Sequence, residues 1–493
     1  MRSFTRTGPA ITCTVLLAVA GGARSEHATA AAADKIPITT SSNEARDLYL
    51  KGRELAEKLR TTDARRFYEQ ALARDPNFAL GHLGLANTSG TTKEFIDAVS
   101  RAATLAGGIS EGERHMVLGL EAAMKGRPAE QLSHYTELVR LFPDDERAHT
   151  LLGNLYFGRQ EYDAAIKEYV RGNTINPSFS QPYNQLGYAY RFTGKLDQAE
   201  TAFKKYVQLI PDDPNPHDSY AELLMKMGRF SESIASYEKA LSLDPNFVAS
   251  YVGIGNNYLA QGNTDKARET FARIAAVART TGERRLARFW TAAAYVHDGA
   301  TDKALEELRA GYELARAEGD AGSMSGDSVQ MGDVLREAGR FDDAAKQYAA
   351  ALSTITAAAV PEDVKQATRR NQVFEEARLA AARGDTAAAK AKAEEYSKQI
   401  AARKAPFEIR QLHELRGSIA LAEKRPAEAV KEFAGANQQD PRILYLTALA
   451  LRESGNAREA AAVATKAARF NGLAFSSAYV RTKAAKLIGP GTE

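Results

Sequence analysis

A short string of residues recurs along this chain at a fixed interval. Leu152-Gly153-Asn154-Leu155-Tyr156 becomes Leu186-Gly187-Tyr188-Ala189-Tyr190 after 34 positions, and Ile254-Gly255-Asn256-Asn257-Tyr258 after a further 68. The same step links Ala165, Ala199, Ser233 and Ala267, the aromatics Tyr135, Tyr169, Phe203, Tyr237 and Phe271, and the prolines Pro143, Pro177, Pro211 and Pro245. A period of this length marks a supersecondary unit that cannot bury its apolar faces alone, so stacked neighbours must do it together. At roughly 150 residues per domain, a chain of 493 residues would divide into about three globules. The repeat replaces that expectation with one elongated body.

Each repeated position has a physical reason. Gly153, Gly187 and Gly255 fall where two helices come closest, since glycine costs about 1 kcal/mol in a helix interior and needs a compensating close approach. Ala165, Ala199 and Ala267 supply the flat surface opposite, and the recurring aromatics bury large area between units. Asp75-Pro76, Asn176-Pro177, Asp244-Pro245 and Asp440-Pro441 end the second helix, because proline restricts the residue before it and cannot continue the ladder. Gly194-Lys195-Leu196-Asp197, Gly228-Arg229-Phe230-Ser231 and Gly339-Arg340-Phe341-Asp342 form the turns within pairs. On this register Gly187→Leu overpacks the helix junction and lowers stability by roughly 1–3 kcal/mol; an unchanged melting temperature refutes the register.

These residues resemble the tetratricopeptide repeat family, whose units carry a small residue at position 8, Ala at 20, an aromatic at 24 and Pro at 32. The resemblance implies an all-α fold, a right-handed superhelical solenoid of about twelve helix-turn-helix repeats. Units begin near residues 45, 79, 112, 146, 180, 214, 248, 285, 325, 370, 410 and 441. Regular repeats occupy 44–281 and divergent ones 282–470, followed by a solvating C-terminal capping helix and tail at 471–493, with Gly489-Pro490-Gly491 marking the tail. The wider spacing at 318–327 and 353–368 reads as lengthened connections, where insertion is well tolerated.

The chain opens with Arg2 and Arg6, an apolar run from Ala10 to Ala20, and small residues through Ser25. That is the form of a secretory signal peptide, with cleavage after Ser25 or Ala30. The run is shorter than the roughly 20 residues of a membrane span, so the expectation is a processed protein, periplasmic or secreted, without a membrane span. Residues 26–43, rich in Ala, Thr and Ser, read as a flexible leader. The segment from Lys35 to Arg60 resembles the start of exported bacterial members of the family, which implies a location and no activity. Lys plus Arg number 65 against 62 acids, and the surplus of three is Arg2, Arg6 and Arg24. The remainder is neutral, with no overall attraction to nucleic acid. The single Cys13 lies in the same segment, so the processed chain forms no disulfide or thiolate site.

No catalytic spacing is present. The chain holds no HExxH, no phosphate-cradling glycine loop and no GxSxG elbow. Gly322-Ser323-Met324-Ser325-Gly326 carries Met at the nucleophile's place, and Glu375-Glu376, Glu394-Glu395 and Asp342-Asp343 read as solvated charge. His82, His115, His149, His217 and His413 share position 4 of their units, a packing position filled by Tyr183 and Tyr251 elsewhere. His134 and His297 have no partner at ligand spacing. The expectation is no enzyme, no metal and no cofactor.

The resemblance implies that ligands lie on the concave surface, toward which positions 2, 5, 9 and 12 of each unit point. The candidate groove is Gln181, Asn184, Tyr188 and Arg191, flanked by Asn154 and Phe157 before and by Asp218, Glu222 and Asn256 after. Amides, a tyrosine and a cation suit the backbone and anchors of an extended peptide. The family's carboxylate clamp is expected to be absent, since Thr150, Asn215 and Ser219 stand where its cations belong, and an anion gains little without them. The leading expectation is a non-catalytic scaffold in the bacterial envelope for a protein or peptide partner. Two alternatives stay open: an assembly subunit that forms homo-oligomers through its end repeats or convex face, and an enzyme with groove residues dispersed along the array. A glycan in place of a peptide also stays open.

Overall fold

A computed structural model describes residues 35–488. Within them the chain forms twelve antiparallel helix pairs and one closing helix. The first six pairs are α1 (Asn43–Glu57) with α2 (Thr61–Arg74), α3 (Ala79–Asn87) with α4 (Thr92–Thr104), α5 (Glu111–Met124) with α6 (Pro128–Leu141), α7 (Glu146–Gly158) with α8 (Tyr162–Ile175), α9 (Gln181–Phe192) with α10 (Leu196–Leu209), and α11 (Pro214–Lys226) with α12 (Phe230–Leu243). The next three are α13 (Val248–Ala260) with α14 (Thr264–Val277), α15 (Thr281–His297) with α16 (Thr301–Ala317), and α17 (Ala321–Glu337) with α18 (Phe341–Ala357). Then follow α19 (Glu362–Arg383) with α20 (Thr386–Ile400), α21 (Pro406–Ala422) with α22 (Pro426–Ala434), and α23 (Pro441–Glu453) with α24 (Ala457–Ala468). The closing helix is α25 (Ser476–Ile488). All twelve pairs stand in the expected register.

Packing follows the small-to-large pairing of the repeat. A Cβ placed on Gly187 would lie 2.5 Å from the ring of Phe203 in its own unit, and one on Gly255 would lie 2.1 Å from Phe271. Tyr68 fills the space left by Gly52 of its unit and Gly84 of the next, so the aromatics do weld neighbours together. Aspartates such as Asp145, Asp213 and Asp440 cap first helices by accepting backbone N–H bonds, which satisfies donors the helix leaves free.

Three expectations change. The spans 318–327 and 353–368 are mostly helix: α16 runs to Ala317 and α17 starts at Ala321, while α18 runs to Ala357 and α19 starts at Glu362. The extra length became added helical turns. The leader at 26–43 is not free where it is described, since residues 35–41 run as an extended strap. Ile36 N donates to Asp145 (2.9 Å), Thr39 N to Glu113 (2.7 Å) and Ser41 N to Asp75 (2.9 Å). Residues of the first, third and fourth units thus hold one strand by its backbone. The C-terminal helix is not solvating: Tyr479, Val480 and Ala484 are buried. Phe475 packs on Phe289 at 4.8 Å, Gln330 donates to the Tyr479 hydroxyl (2.8 Å), and Lys483 pairs with Glu337 (3.2 Å). An apolar stripe at 475, 479, 480 and 484 is what turns α25 inward. The signal segment, leader residues 26–34 and the Gly489-Pro490-Gly491 tail lie outside the described residues.

The coil also returns to touch itself. Thr92 N of the second unit reaches Asp320 before the ninth (3.4 Å), Arg410 of the eleventh donates to Arg159 O of the fourth (3.0 Å), and Gln160 of the fourth donates to Asn437 before the twelfth (2.9 Å). A seam therefore joins units about seven or eight apart. No described helix is long and apolar enough to cross a membrane.

Candidate functional site

The inner face of the coil is built by the first helix of each pair, and its character changes along the chain. In the second to fourth units it is open and largely apolar. Leu83 and Asn87 of α3, Met116 and Leu120 of α5, and Leu151, Asn154, Leu155 and Gly158 of α7 line a cavity of about 430 Å³, with Gln131, Tyr135 and Arg159 completing it. Of the expected groove residues Asn154 alone is here, its carbonyl oxygen accepting from the Tyr169 hydroxyl at 2.8 Å. Leu83, Asn87, Met116 and Leu120 occupy positions 5 and 9 of their units. The same positional rule applied to the second and third units would have found them.

In the fifth to seventh units the expected residues do come together, but they satisfy one another. The Tyr188 hydroxyl donates to Glu222 (3.0 Å), and Arg191 pairs with the other oxygen of Glu222 (2.9 Å) while lying over the rings of Tyr188 and Phe192. Phe157 packs on Tyr162 and Phe192. Asp218 accepts from the Ser250 hydroxyl (2.7 Å), and burial together with Glu222 pushes its carboxyl up to about 8. Tyr188, Asp218 and Glu222 face a cavity of about 310 Å³ whose opposite wall is the turn Leu59–Asp63 of the first unit, so the seam crosses this part of the groove. Gln181 opens α9 without joining the cluster. Asn184 is buried, and its carbonyl oxygen has no partner among the described residues. Asn256 donates to Val252 O of its own helix (2.9 Å). At one clamp position, Asn215 spends its amide on the Tyr206 hydroxyl (2.6 Å).

From the ninth to twelfth units the inner face is a buried ladder of charge. Arg378 pairs with Glu375 (2.8 Å), Glu414 (3.0 Å) and Asp333 (3.4 Å), Arg336 pairs with Asp333 (3.2 Å), and Arg442 pairs with Glu414. Burial alone would raise the Glu414 carboxyl, but the guanidiniums of Arg442 and Arg378 hold it below its ordinary range. Asp333, Arg336, Arg378, Glu414 and Arg442 stand at positions 9, 12, 9, 5 and 2 of their units, so this ladder too was available to the positional rule.

The histidines mainly pack, with one correction. His82 and His217 contact the carbonyls of Pro76 and Pro211 in the preceding turn (2.9 and 3.0 Å), as the Tyr251 hydroxyl does with Pro245 (3.1 Å). His149 and His413 pair with Glu168 and Glu432. His134, expected to stand alone, has its Nδ1 3.0 Å from Nδ1 of His115. The two lie 19 residues apart on facing helices, a separation that helical spacing within one element does not reveal. Among the described residues no group of three or more ligand-type side chains could hold a metal.

Repeated helix pairs of this register, stacked into one coil, define an α-solenoid built from helix-turn-helix repeats. Family models for the tetratricopeptide repeat match residues 116–173, 180–213 and 224–289. The chain is a tetratricopeptide repeat protein. It is similar to anaphase-promoting complex subunit 6 of Arabidopsis thaliana, 24% identical over 41% of this chain and 32% of that one. It is also similar to the UDP-N-acetylglucosamine–peptide N-acetylglucosaminyltransferase of Giardia intestinalis, 25% identical over 24% of this chain and 8% of that one. These matches span a third or less of the relatives' lengths. Among solved structures, a tetratricopeptide repeat protein from Parabacteroides merdae is 15% identical with a TM-score of 0.36, over 55% of this chain and 94% of that one.

Proposed function

We propose that the protein is a non-catalytic interaction scaffold that binds an extended segment of a partner protein in the open groove of its second to fourth units. The observation that carries this reading is the cavity of about 430 Å³ on the inner face of α3, α5 and α7. The first turn crosses the inner face of the fifth to seventh units and narrows it to a cavity of about 310 Å³, and α25 covers that of the eighth and ninth. Leu83, Met116, Leu120 and Leu155 offer apolar contact, and Asn87, Asn154 and Arg159 offer bonds to a peptide backbone, the combination that recognises extended segments by pockets for alternate side chains. The strap at 35–41 shows the array already holding an extended strand across several units.

The test is selection from a displayed library of random peptides on the purified chain. Wild type should enrich sequences with spaced apolar residues, Met116→Glu with Leu120→Glu should abolish the enrichment, and the triple variant Asn184→Ala, Tyr188→Ala, Arg191→Ala should retain it. Enrichment that survives the acidic pair, or is lost in the triple variant, moves the site out of the open groove. The proposal extends to location: a bacterial periplasm or the exterior, supported by the basic, apolar and small residues of the first 25 positions. Recovery of a periplasmic chain that begins at residue 26 or 31 would support it, and a cytoplasmic chain still carrying those residues would refute it.

A further inference from the structure

Where the turn after α11 meets the C-terminal segment, the seam encloses a separate cavity of about 220 Å³, walled by Arg191, Phe192, Lys226, Gln439 and residues 470–474. Its walls come from four distant stretches of chain, so the cavity exists because the coil closes. It carries hydrogen-bond donors that no described acceptor satisfies. Lys226 Nζ stands 4.3 Å from the centre of the Phe470 ring, and among the described residues it makes no hydrogen bond or ion pair. Glu222, one helical turn earlier, is committed to Tyr188 and Arg191. Asn471 is buried, and its side-chain amide bonds to no described residue. The backbone N–H groups of Asn471, Gly472 and Leu473 likewise find no acceptor among the described residues. Burial and the nearby Arg191 push the Lys226 ammonium down to about 8, as expected for a cation held out of water without an anion. The rest of the lining is the apolar Phe192, Phe470, Ala474 and exposed Leu473, together with Gln439, whose side-chain amide donates to Phe192 O at 3.5 Å.

We propose that this cavity binds a small monocarboxylic acid, its carboxylate held between Lys226 Nζ and the amides of residues 471–473 and its hydrocarbon body against Phe192, Phe470 and Leu473. The charge count selects the monoanion. Arg191 is already neutralised by Glu222, so among the described residues Lys226 is the one cation of the lining left unpaired, and a second negative charge would find no cation to compensate it. The volume selects a small molecule over a folded partner. A carboxylate there forms charge-assisted bonds to groups that now have none, the arrangement in which such bonds are strongest. It also joins α11 to the C-terminal segment, so its binding and the closure of the seam stabilise each other.

The site is tested on the full chain with phenylacetate, followed by calorimetry and by the NMR signal of 13C-methylated Lys226. Phenylacetate should bind with Kd on the order of 1 mM or tighter, raise the titration midpoint of Lys226, and leave uncharged phenylacetamide without effect. Lys226→Met, which keeps the apolar stem, should weaken binding at least about tenfold, while Lys226→Arg should bind within a few-fold of wild type. No heat and no shift up to about 10 mM, equal binding of the amide, or undiminished binding by a folded Lys226→Met chain would each overturn the proposal. If Lys226→Met fails to fold, the acid–amide comparison on the wild-type chain decides.

Discussion

The inner face of the second to fourth units and that of the ninth to twelfth use the same positions of the same repeat for opposite ends. Near the start those positions carry Leu83, Asn87, Met116, Leu120 and Asn154 around an open cavity. Toward the end they carry Asp333, Arg336, Arg378, Glu414 and Arg442, closed into a buried network. In a solenoid each unit answers mainly to its neighbours, so a stretch of groove can be assigned to holding the fold together without altering the stretch beside it. The divergence of the later units is then no decay of the pattern. Longer helices such as α19 (Glu362–Arg383) bring Glu375 and Arg378 onto the inner face where the ladder needs them.

The largest expected effect breaks that contrast directly. Arg378→Met leaves Glu375, Asp333 and Glu414 facing Arg336 and Arg442 alone, and stranding buried charge in this way costs about 3–5 kcal/mol. Leu120→Ala on the open side removes a partly exposed side chain and should cost much less than the 2–5 kcal/mol typical of a fully buried leucine. Urea denaturation of both variants is the check. Similar losses would mean that the two faces do not differ in what they contribute to stability.

Between the two lies Asp218, where the regular half carries a charge it is poorly placed to hold. Its folded value of about 8 stands above the ordinary 3.8 because of burial and the neighbouring Glu222. The folded chain therefore keeps a proton that the unfolded chain has released. Across the window from about pH 4 to pH 8 unfolding releases that proton, and stability falls as pH rises. Asp218→Asn preserves an acceptor for Ser250 and removes the dependence. The variant should be more stable than wild type by on the order of 1–3 kcal/mol near pH 7.5, with the gap vanishing near pH 4. A gap that stays constant with pH would show that Asp218 ionises normally in the fold.

The repeat made the pairs, their register and their turns legible, because each depends on residues within a single unit: Gly187 against Phe203, Asp145 capping α7, proline ending α8. The closure was not legible. The meeting of Thr92 with Asp320, or of Gln160 with Asn437, depends on a small rotation between units summed over seven or eight of them, and no one unit encodes that sum. Tyr188, Arg191 and Glu222 lie together as the positional rule expects, but they bond one another, and the turn Leu59–Asp63 that forms the opposite wall of their cavity comes from a unit far away in sequence. The added turns of α16 to α19 were partly legible. Asp320 accepts from Ser323 N at 3.2 Å as the cap of α17, and an aspartate three residues before a serine amide is a helix start that the glycine-rich surroundings disguised.

The smallest effect sharpens the comparison at its seam. The turn residue after a first helix takes a left-handed conformation, filled by Gly194, Gly228 and Gly339 in many units but by Gln160 in the fourth and Lys424 in the eleventh, both at φ 60°. A side chain there costs roughly 1–2 kcal/mol, and glycine returns about 0.5–1 kcal/mol of that through the freedom it adds to the unfolded chain. Lys424 is largely exposed and pairs only loosely with Glu453 at 3.8 Å, so Lys424→Gly should stabilise the fold by about 0.5 kcal/mol. Gln160 has the same backbone, but its amide crosses the seam to Asn437 at 2.9 Å, a bond worth about 0.5–1.5 kcal/mol. Gln160→Gly should therefore gain nothing or lose slightly. Paired denaturation curves read the difference: if both variants gain equally, the Gln160–Asn437 bond contributes nothing and the coil is held closed elsewhere along the seam, with Arg410 on Arg159 and Lys226 on Phe470 the next contacts to remove.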